Sequence, residues 1–163
     1  DRRIDVIATA MRAGLSATDL IDLDLAYAPP YGQAKDPVNQ TGMVAHNVMT
    51  GELVLTGPDA LSEDMPVLDV RTPGEYAAGH MPNSLNIPHT QLRDRLDEVQ
   101  AWVDENVRDQ PFVVMCAAGV RSWIGYRIVR HAGFNVTMLS GGIQTLRAWL
   151  GEKAEAVLVT GEG

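Results

Sequence analysis

The sequence predicts an α/β fold: a central parallel sheet with helices on both faces, preceded by a helical appendage. Three observations carry this. Short apolar runs recur between residues 52 and 150: VLDV (67–70), SLNIP (84–88), PFVVM (111–115) and NVTML (135–139). Between them lie stretches with helical spacing or helix-start chemistry. Runs apolar throughout, rather than alternating, are what strands buried on both faces require. Residues 1–50, by contrast, carry helical patterns and no clear strand beyond IDVIA (4–8).

Taken in order, SATDLIDLDL (16–25) places Ser16 as a cap with Asp19 three residues on. Pro29 and Pro30 forbid a helix through AYAPPYGQAK (26–35). A helix restarts with Asp36 as N-cap and Pro37 in the first turn. It is expected to show Val38, Thr41, Val44, Ala45 and Val48 on one face and to stop at Gly51. GELVLTGP (51–58) reads as a linker open to proteolysis. After VLDV, TPGEYAAG (72–79) has Thr72, Pro73 and Glu75 in capping-box order. QLRDRLDEVQAWV (91–103) spaces Leu92, Leu96, Val99 and Val103 for a helix. RSWIGYRIVRHAG (121–133) is a helix with Ile124, Ile128 and Val129 inward and Gly133 as its stop. SGGIQTLRAWL (140–150) is a turn and a helix, and residues 153–163 read as a loosely held tail.

Composition narrows the function. The chain has 163 residues, a net charge of −8 and a sequence pI near 4.8. That balance argues against nucleic acid and anionic membranes as partners. No apolar run approaches the roughly 20 residues of a membrane helix, and DRRIDVIATAM (1–11) lacks the features of a signal peptide. One cysteine cannot form an internal disulfide, which fits a cytoplasmic location. The first residue is Asp, so the chain reads as a piece of a longer one.

The single cysteine is the candidate for chemistry. Cys116 ends an apolar strand, and Ala117, Ala118, Gly119 and Val120 lead into a helix. Sites in open parallel sheets lie beyond the carboxyl ends of strands. A loop stripped of side chains there can turn its amides inward at a helix N-terminus. Arg121 adds positive charge beside them, and Ser122 completes the loop. Such surroundings favour thiolate, the nucleophilic form. A lone cysteine is commonly an inert core residue, but a core position has no need of Gly119 and two alanines. Asp69 is expected to accept hydrogen bonds from loop amides, Arg71 to pair with Glu75, and His80 to order a turn. His46, His89 and His131 are scattered without metal-ligand spacing, so no metal is expected.

LDVRTPGEYAAGHMPNSLNIP, then VVMCAAGVRSWIGYRIVRHAGF and LSGGIQTLRAW, closely resemble the rhodanese-like sulfurtransferases. The matching residues are Asp69, Arg71, Glu75, Gly79, His80, Pro82, Asn86, Ile87, Pro88, Cys116, Gly119, Arg121, Ser122, Gly141, Gly142 and Trp149. The resemblance covers roughly residues 55–150 and implies a rhodanese fold. It also implies that Cys116 accepts a sulfane sulfur as a persulfide and passes it to a thiophilic acceptor. A related phosphatase type places arginine six positions after cysteine. Here the spacing is five, and the loop holds no Asp or Glu to serve as general acid, so phosphatase activity is not expected.

Residues 1–51 resemble the end of the dimerisation domain of flavin-dependent pyridine nucleotide–disulfide oxidoreductases. The nearest type is the coenzyme A-disulfide reductase and NADH oxidase-like group, some members of which carry a C-terminal rhodanese domain. The resemblance implies a parent protein using FAD, NAD(P)H and coenzyme A, a homodimer through residues 1–51, and partner-subunit contacts from Tyr27 and Tyr31. No G-x-G-x-x-G follows any strand, so this stretch of chain is expected to bind neither FAD nor NAD. Residues 52–152 are then the rhodanese-like domain. Two readings stand for it: a sulfurtransferase whose partner is a small sulfur-containing substrate, or a catalytically idle binding module.

Overall fold

In the computed structural model, residues 2–108 and 110–161 are described. Asp1 and the last two residues of the expected tail lie outside them. The chain forms two compact units, Asp1–Leu53 and Val54–Gly163.

The first unit holds α1 (Arg2–Arg12), a 3-10 turn at Asp19–Asp22 and α2 (Pro37–Met49). IDVIA is helical within α1, not a strand. Val6 and Ala10 fall four apart, and Ala10 joins Leu20 and Val38 in a small core. Ser16 and Asp19 bond reciprocally: the Asp19 carboxylate accepts from the Ser16 amide and hydroxyl at 2.7 Å each, and the Asp19 amide donates back at 3.3 Å. Asp36 caps α2 by accepting from the Val38 amide at 3.0 Å, and it pairs with Arg3 at 3.2 Å.

The buried face of α2 differs from the expected valine stripe. Val38, Asn39 and Gly42 are buried, whereas Val44 and Val48 are exposed. The small residue sets the face. A Cβ at Gly42 would lie 2.9 Å from the Ala17 carbonyl oxygen, so only glycine lets α2 lie against the 3-10 turn. The amide of Asn39 then donates to carbonyls of that turn, at 3.0 Å to Leu20 and 2.9 Å to Leu23. The Leu20 oxygen would otherwise be buried without that partner.

The second unit is a five-stranded, all-parallel sheet in the order β1-β5-β4-β2-β3. The strands are β1 (Leu55–Thr56), β2 (Val67–Asp69), β3 (Ser84–Asn86), β4 (Phe112–Met115) and β5 (Val136–Leu139). The helices are α3 (Pro73–Ala77), α4 (Leu96–Asn106), α5 (Val120–His131), α6 (Gly142–Leu150) and α7 (Ala154–Val157). Val67, Val113, Met115 and Leu139 pack with Ile143 and Leu146 of α6. The alternate residues face α5, where Gly125 comes so close that a Cβ would stand 3.0 Å from Val70 and 3.4 Å from Val114. The inward residues of α5 are Ser122, Gly125, Tyr126, Ile128 and Val129. Ile124 is exposed, contrary to expectation: Gly125 is the point of closest approach to the sheet, and the residue before it points about 100° away around the helix.

Two further expectations change. The supposed linker contains β1, an edge strand whose Thr56 hydroxyl lies 2.6 Å from that of Thr137. A strand of two residues is too short a run to announce itself in sequence. The supposed tail is pinned as far as Gly161. Leu158 is buried in the core, Val159 and His80 exchange backbone hydrogen bonds at 2.9 and 3.0 Å, and the Gly161 amide donates to Ala77.

Candidate functional site

The loop from Cys116 to the first turn of α5 lies beyond the carboxyl end of β4, at the centre of the sheet. Two glycines shape it by different means. Gly119 has φ +127°, a conformation L side chains rarely adopt, although a Cβ there would meet nothing within 4 Å. Gly142 has φ +63° and also lacks room. A Cβ would lie 2.5 Å from the Cys116 carbonyl oxygen and 2.7 Å from that of Ala117. This close approach lets the N-terminus of α6 donate to the loop, from Ile143 to the Cys116 carbonyl at 2.9 Å and from Gln144 to that of Ala117 at 3.1 Å. With those carbonyls engaged by α6, the following amides turn toward the cysteine.

Cys116 is 1% exposed. Its Sγ accepts from the Gly119 amide at 3.1 Å, and its thiol lies 3.4 Å from Ser122 Oγ. The fully buried Ser122 hydroxyl donates to the Gly119 carbonyl at 2.8 Å. Burial alone pushes the thiol pKa up. The Ser122 hydroxyl, which can turn from the Gly119 carbonyl to the sulfur once the thiol ionises, and the Gly119, Ser122 and Ala118 amides outweigh it, and the thiol sits below its ordinary range. At neutral pH a larger share is therefore thiolate than in a free cysteine. Ser122→Ala removes the largest of the lowering contributions. Its alkylation-rate profile should shift toward higher pH than the wild type's, with slower reaction at pH 7. An unchanged profile would remove Ser122 from the account.

Arg121 does not stand as a free cation. Its guanidinium forks onto Glu75, with Nη1 to Oε2 and Nη2 to Oε1 both at 2.7 Å. This holds the Glu75 carboxyl down at about 2, with Thr72 contributing through its hydroxyl and amide. The expected Arg71–Glu75 pair is corrected accordingly. Arg71 instead grips Asp69, with Nε to Oδ1 at 2.9 Å and Nη2 to Oδ2 at 2.6 Å, and donates to the Gly79 carbonyl at 2.8 Å. The reason is burial. The Asp69 carboxylate is wholly inside and must be satisfied, whereas the capping box of α3 holds Glu75 at the surface beside the loop. Asp69 also accepts from the Arg71 amide, as expected of a residue ordering the backbone after β2. Asn86 donates to the carbonyls of Asp69 and Arg71, fixing the same crossing. His80 is buried, stacked on the Tyr76 ring, with Nδ1 2.9 Å from the Tyr76 carbonyl oxygen.

The structure thus gathers Cys116, Ala117, Ala118, Gly119, Val120, Arg121, Ser122 and Glu75 around one mouth. Asp69, Arg71 and His80 lie behind it as supports. Tyr27 and Tyr31 belong to the first unit, where both are exposed. Sequence reasoning missed the Glu75–Arg121 pair and the docking of α6 under the loop. The Gly141–Gly142 step was the available sign of the second.

Comparison with known proteins extends this description. Residues 57–148 match the profile of the Rhodanese-like domain. Among curated proteins, a tRNA uridine(34) hydroxylase of Enterobacter sp. (strain 638) is 30% identical over 111 residues, covering 66% of this chain and 30% of that one. The chain therefore spans about a third of the curated relatives it matches. Among solved structures, that of reduced Bacillus anthracis CoADR-RHD is 35% identical with a TM-score of 0.84, covering 98% of this chain and 27% of that one. A NAD-dependent persulfide reductase from A. fulgidus is 43% identical with a TM-score of 0.75, covering 87% and 25%. The likeness to CoADR-RHD runs through both units, in keeping with a fusion in which such a domain follows a reductase. The match to the family profile takes in more than half of the sequence, from just after β1 into α6, and the chain belongs to the rhodanese-like family.

Proposed function

We propose that the second unit is a sulfurtransferase in which Cys116 carries the sulfur. The observation that supports this most is the Cys116 loop: a buried sulfur facing amides, with its thiol held below the ordinary range. The Cys116 thiolate attacks the outer sulfur of thiosulfate, a polysulfide or a persulfide. The donor's S–S bond breaks, and sulfite or a thiolate leaves with the electron pair. Cys116 then holds a persulfide, whose terminal sulfur passes to an attacking acceptor thiolate and regenerates the cysteine. Sulfite and thiolates leave unaided, so no general acid is required. The loop amides of Ala118, Gly119 and Ser122 stabilise negative charge at the sulfur through both steps.

The likeness to CoADR-RHD and to a persulfide reductase supports a setting in which the acceptor is the reductase part of a parent protein. FAD, NAD(P)H and coenzyme A would belong to that part, and Tyr27 and Tyr31 would reach its site across a dimer formed by residues 1–51. This chain's residues do not fit a dinucleotide. Its glycine-bearing loop after a strand closes on the Cys116 sulfur and has no second phosphate-binding turn behind it. The rhodanese-like match alone would equally suit an idle binding module. The lowered thiol and the intact loop favour chemistry. With thiosulfate and cyanide, the protein should release thiocyanate over many turnovers. A protein inert with thiosulfate, polysulfide and persulfide alike would hand the reading to the binding module.

A further inference from the structure

We propose that Glu75 determines donor specificity by holding the Arg121 charge away from anionic donors, a reading that rests on sulfur transfer at Cys116. Arg121 is the charged side chain of the loop, and its backbone sits between Gly119, whose amide donates to the Cys116 sulfur at 3.1 Å, and Ser122, whose Oγ lies 3.4 Å from that sulfur. Its guanidinium is nevertheless committed to Glu75 by two hydrogen bonds of 2.7 Å. The anchor does not swing freely. Glu75 Oε2 also accepts from the Thr72 amide at 3.1 Å and the Thr72 hydroxyl at 2.8 Å, so the carboxylate is tied to the first turn of α3. Lowered to about 2, it is ionised at neutral pH.

A thiosulfate dianion approaching this mouth meets a cation already neutralised, and a fixed carboxylate beside it. It must displace the carboxylate to recruit Arg121, in a chain whose net charge is −8. An alkyl persulfide accepts attack in its protonated, neutral form and has no such requirement. The Cys116 thiolate attacks its outer sulfur, the S–S bond breaks, and the departing thiolate takes the electron pair. The outer sulfur's proton stays with the new persulfide or passes to that thiolate. The pair is partly exposed, with side chains 26% and 37% accessible, so the bias is modest rather than absolute. Glu75 is a specificity residue by this account and touches neither donor.

Glu75→Gln isolates the charge, because Gln at the third helical position keeps the capping box. The readout is a ratio: the rate constant of Cys116 persulfide formation from thiosulfate over that from a neutral alkyl persulfide. That ratio should rise about fivefold, the size expected for an exposed ion pair, and the rise should shrink in 0.5 M salt as screening shortens. In Glu75→Gln/Arg121→Gln the ratio should fall back to the wild-type value or below. A second readout needs no sulfur transfer: carboxymethylation of Cys116 by iodoacetate against carbamidomethylation by neutral iodoacetamide. The iodoacetate to iodoacetamide ratio should rise in Glu75→Gln in the same way. If the wild type forms no persulfide, sulfur transfer fails, while the alkylation ratio still decides the charge argument. Equal slowing with both members of a pair would leave Glu75 only a structural support, and an unchanged ratio would remove its control of Arg121. Either result overturns the proposal.

Discussion

Asp69→Ala should destabilise the second unit by about 3–5 kcal/mol, the usual cost of orphaning one member of a buried ion pair. Asp69 is fully buried and Arg71 is 4% exposed. Three hydrogen bonds of 2.6–3.0 Å from the guanidinium end on the carboxylate, and a fourth reaches the Gly79 carbonyl. Removing the carboxylate strands a cation inside an apolar shell with one carbonyl partner. The loss also propagates toward the site, because the crossing after β2 positions Thr72 and, through it, Glu75. Asp69→Ala/Arg71→Met should recover much of the stability, since the second change removes the stranded charge. Urea unfolding followed by tryptophan fluorescence reads this directly, because Trp102, Trp123 and Trp149 all lie in this unit. A single variant as stable as the wild type would show that the pair does not hold the crossing.

Gly142→Ala should damage the loop itself. The new methyl group would stand 2.5 Å from one loop carbonyl oxygen and 2.7 Å from the next, and these are backbone atoms that no rotamer change can move. The φ of +63° adds strain for any L side chain. Loop and α6 must separate, and the bonds from Ile143 and Gln144 are lost. The expected cost is about 2–4 kcal/mol. A displaced loop should also slow Cys116 alkylation by about tenfold or more. Gly133→Ala is the control: its φ of +96° carries strain, but a Cβ would meet nothing within 4 Å, and it lies far along the chain from the loop. Wild-type alkylation in Gly142→Ala would contradict the role given to α6.

The sheet could be read ahead of the structure because β2, β4 and β5 are buried on both faces and two of the helices begin with recognisable chemistry. Thr72, Pro73 and Glu75 announce α3, and Asp36 with Pro37 announces α2. β1 escaped because two residues carry no periodicity, and their pairing with β5 is long-range. The buried face of α2 escaped because a valine stripe suggests a core, whereas Gly42 and Asn39 create the close approach. At the site, Cys116 and its small-residue loop were evident from local sequence. The partner of Arg121 was not. Glu75 lies 46 positions away, and only the folded sheet brings the start of α3 to the mouth of the loop. Asp69 was nearer in sequence to Arg71 than Glu75 was. Burial decided between the two carboxylates, and local sequence does not report it.

Mass spectrometry of the whole chain after brief thiosulfate treatment tests sulfur transfer at Cys116 most directly. The wild type should gain one sulfur, about 32 Da, mapped to the peptide containing Cys116 and removed by cyanide as thiocyanate. Cys116→Ser should gain nothing, as no other thiol exists in the chain. A wild type that gains no mass from thiosulfate, polysulfide or persulfide, or a Cys116→Ser protein that gains the same mass, would contradict it.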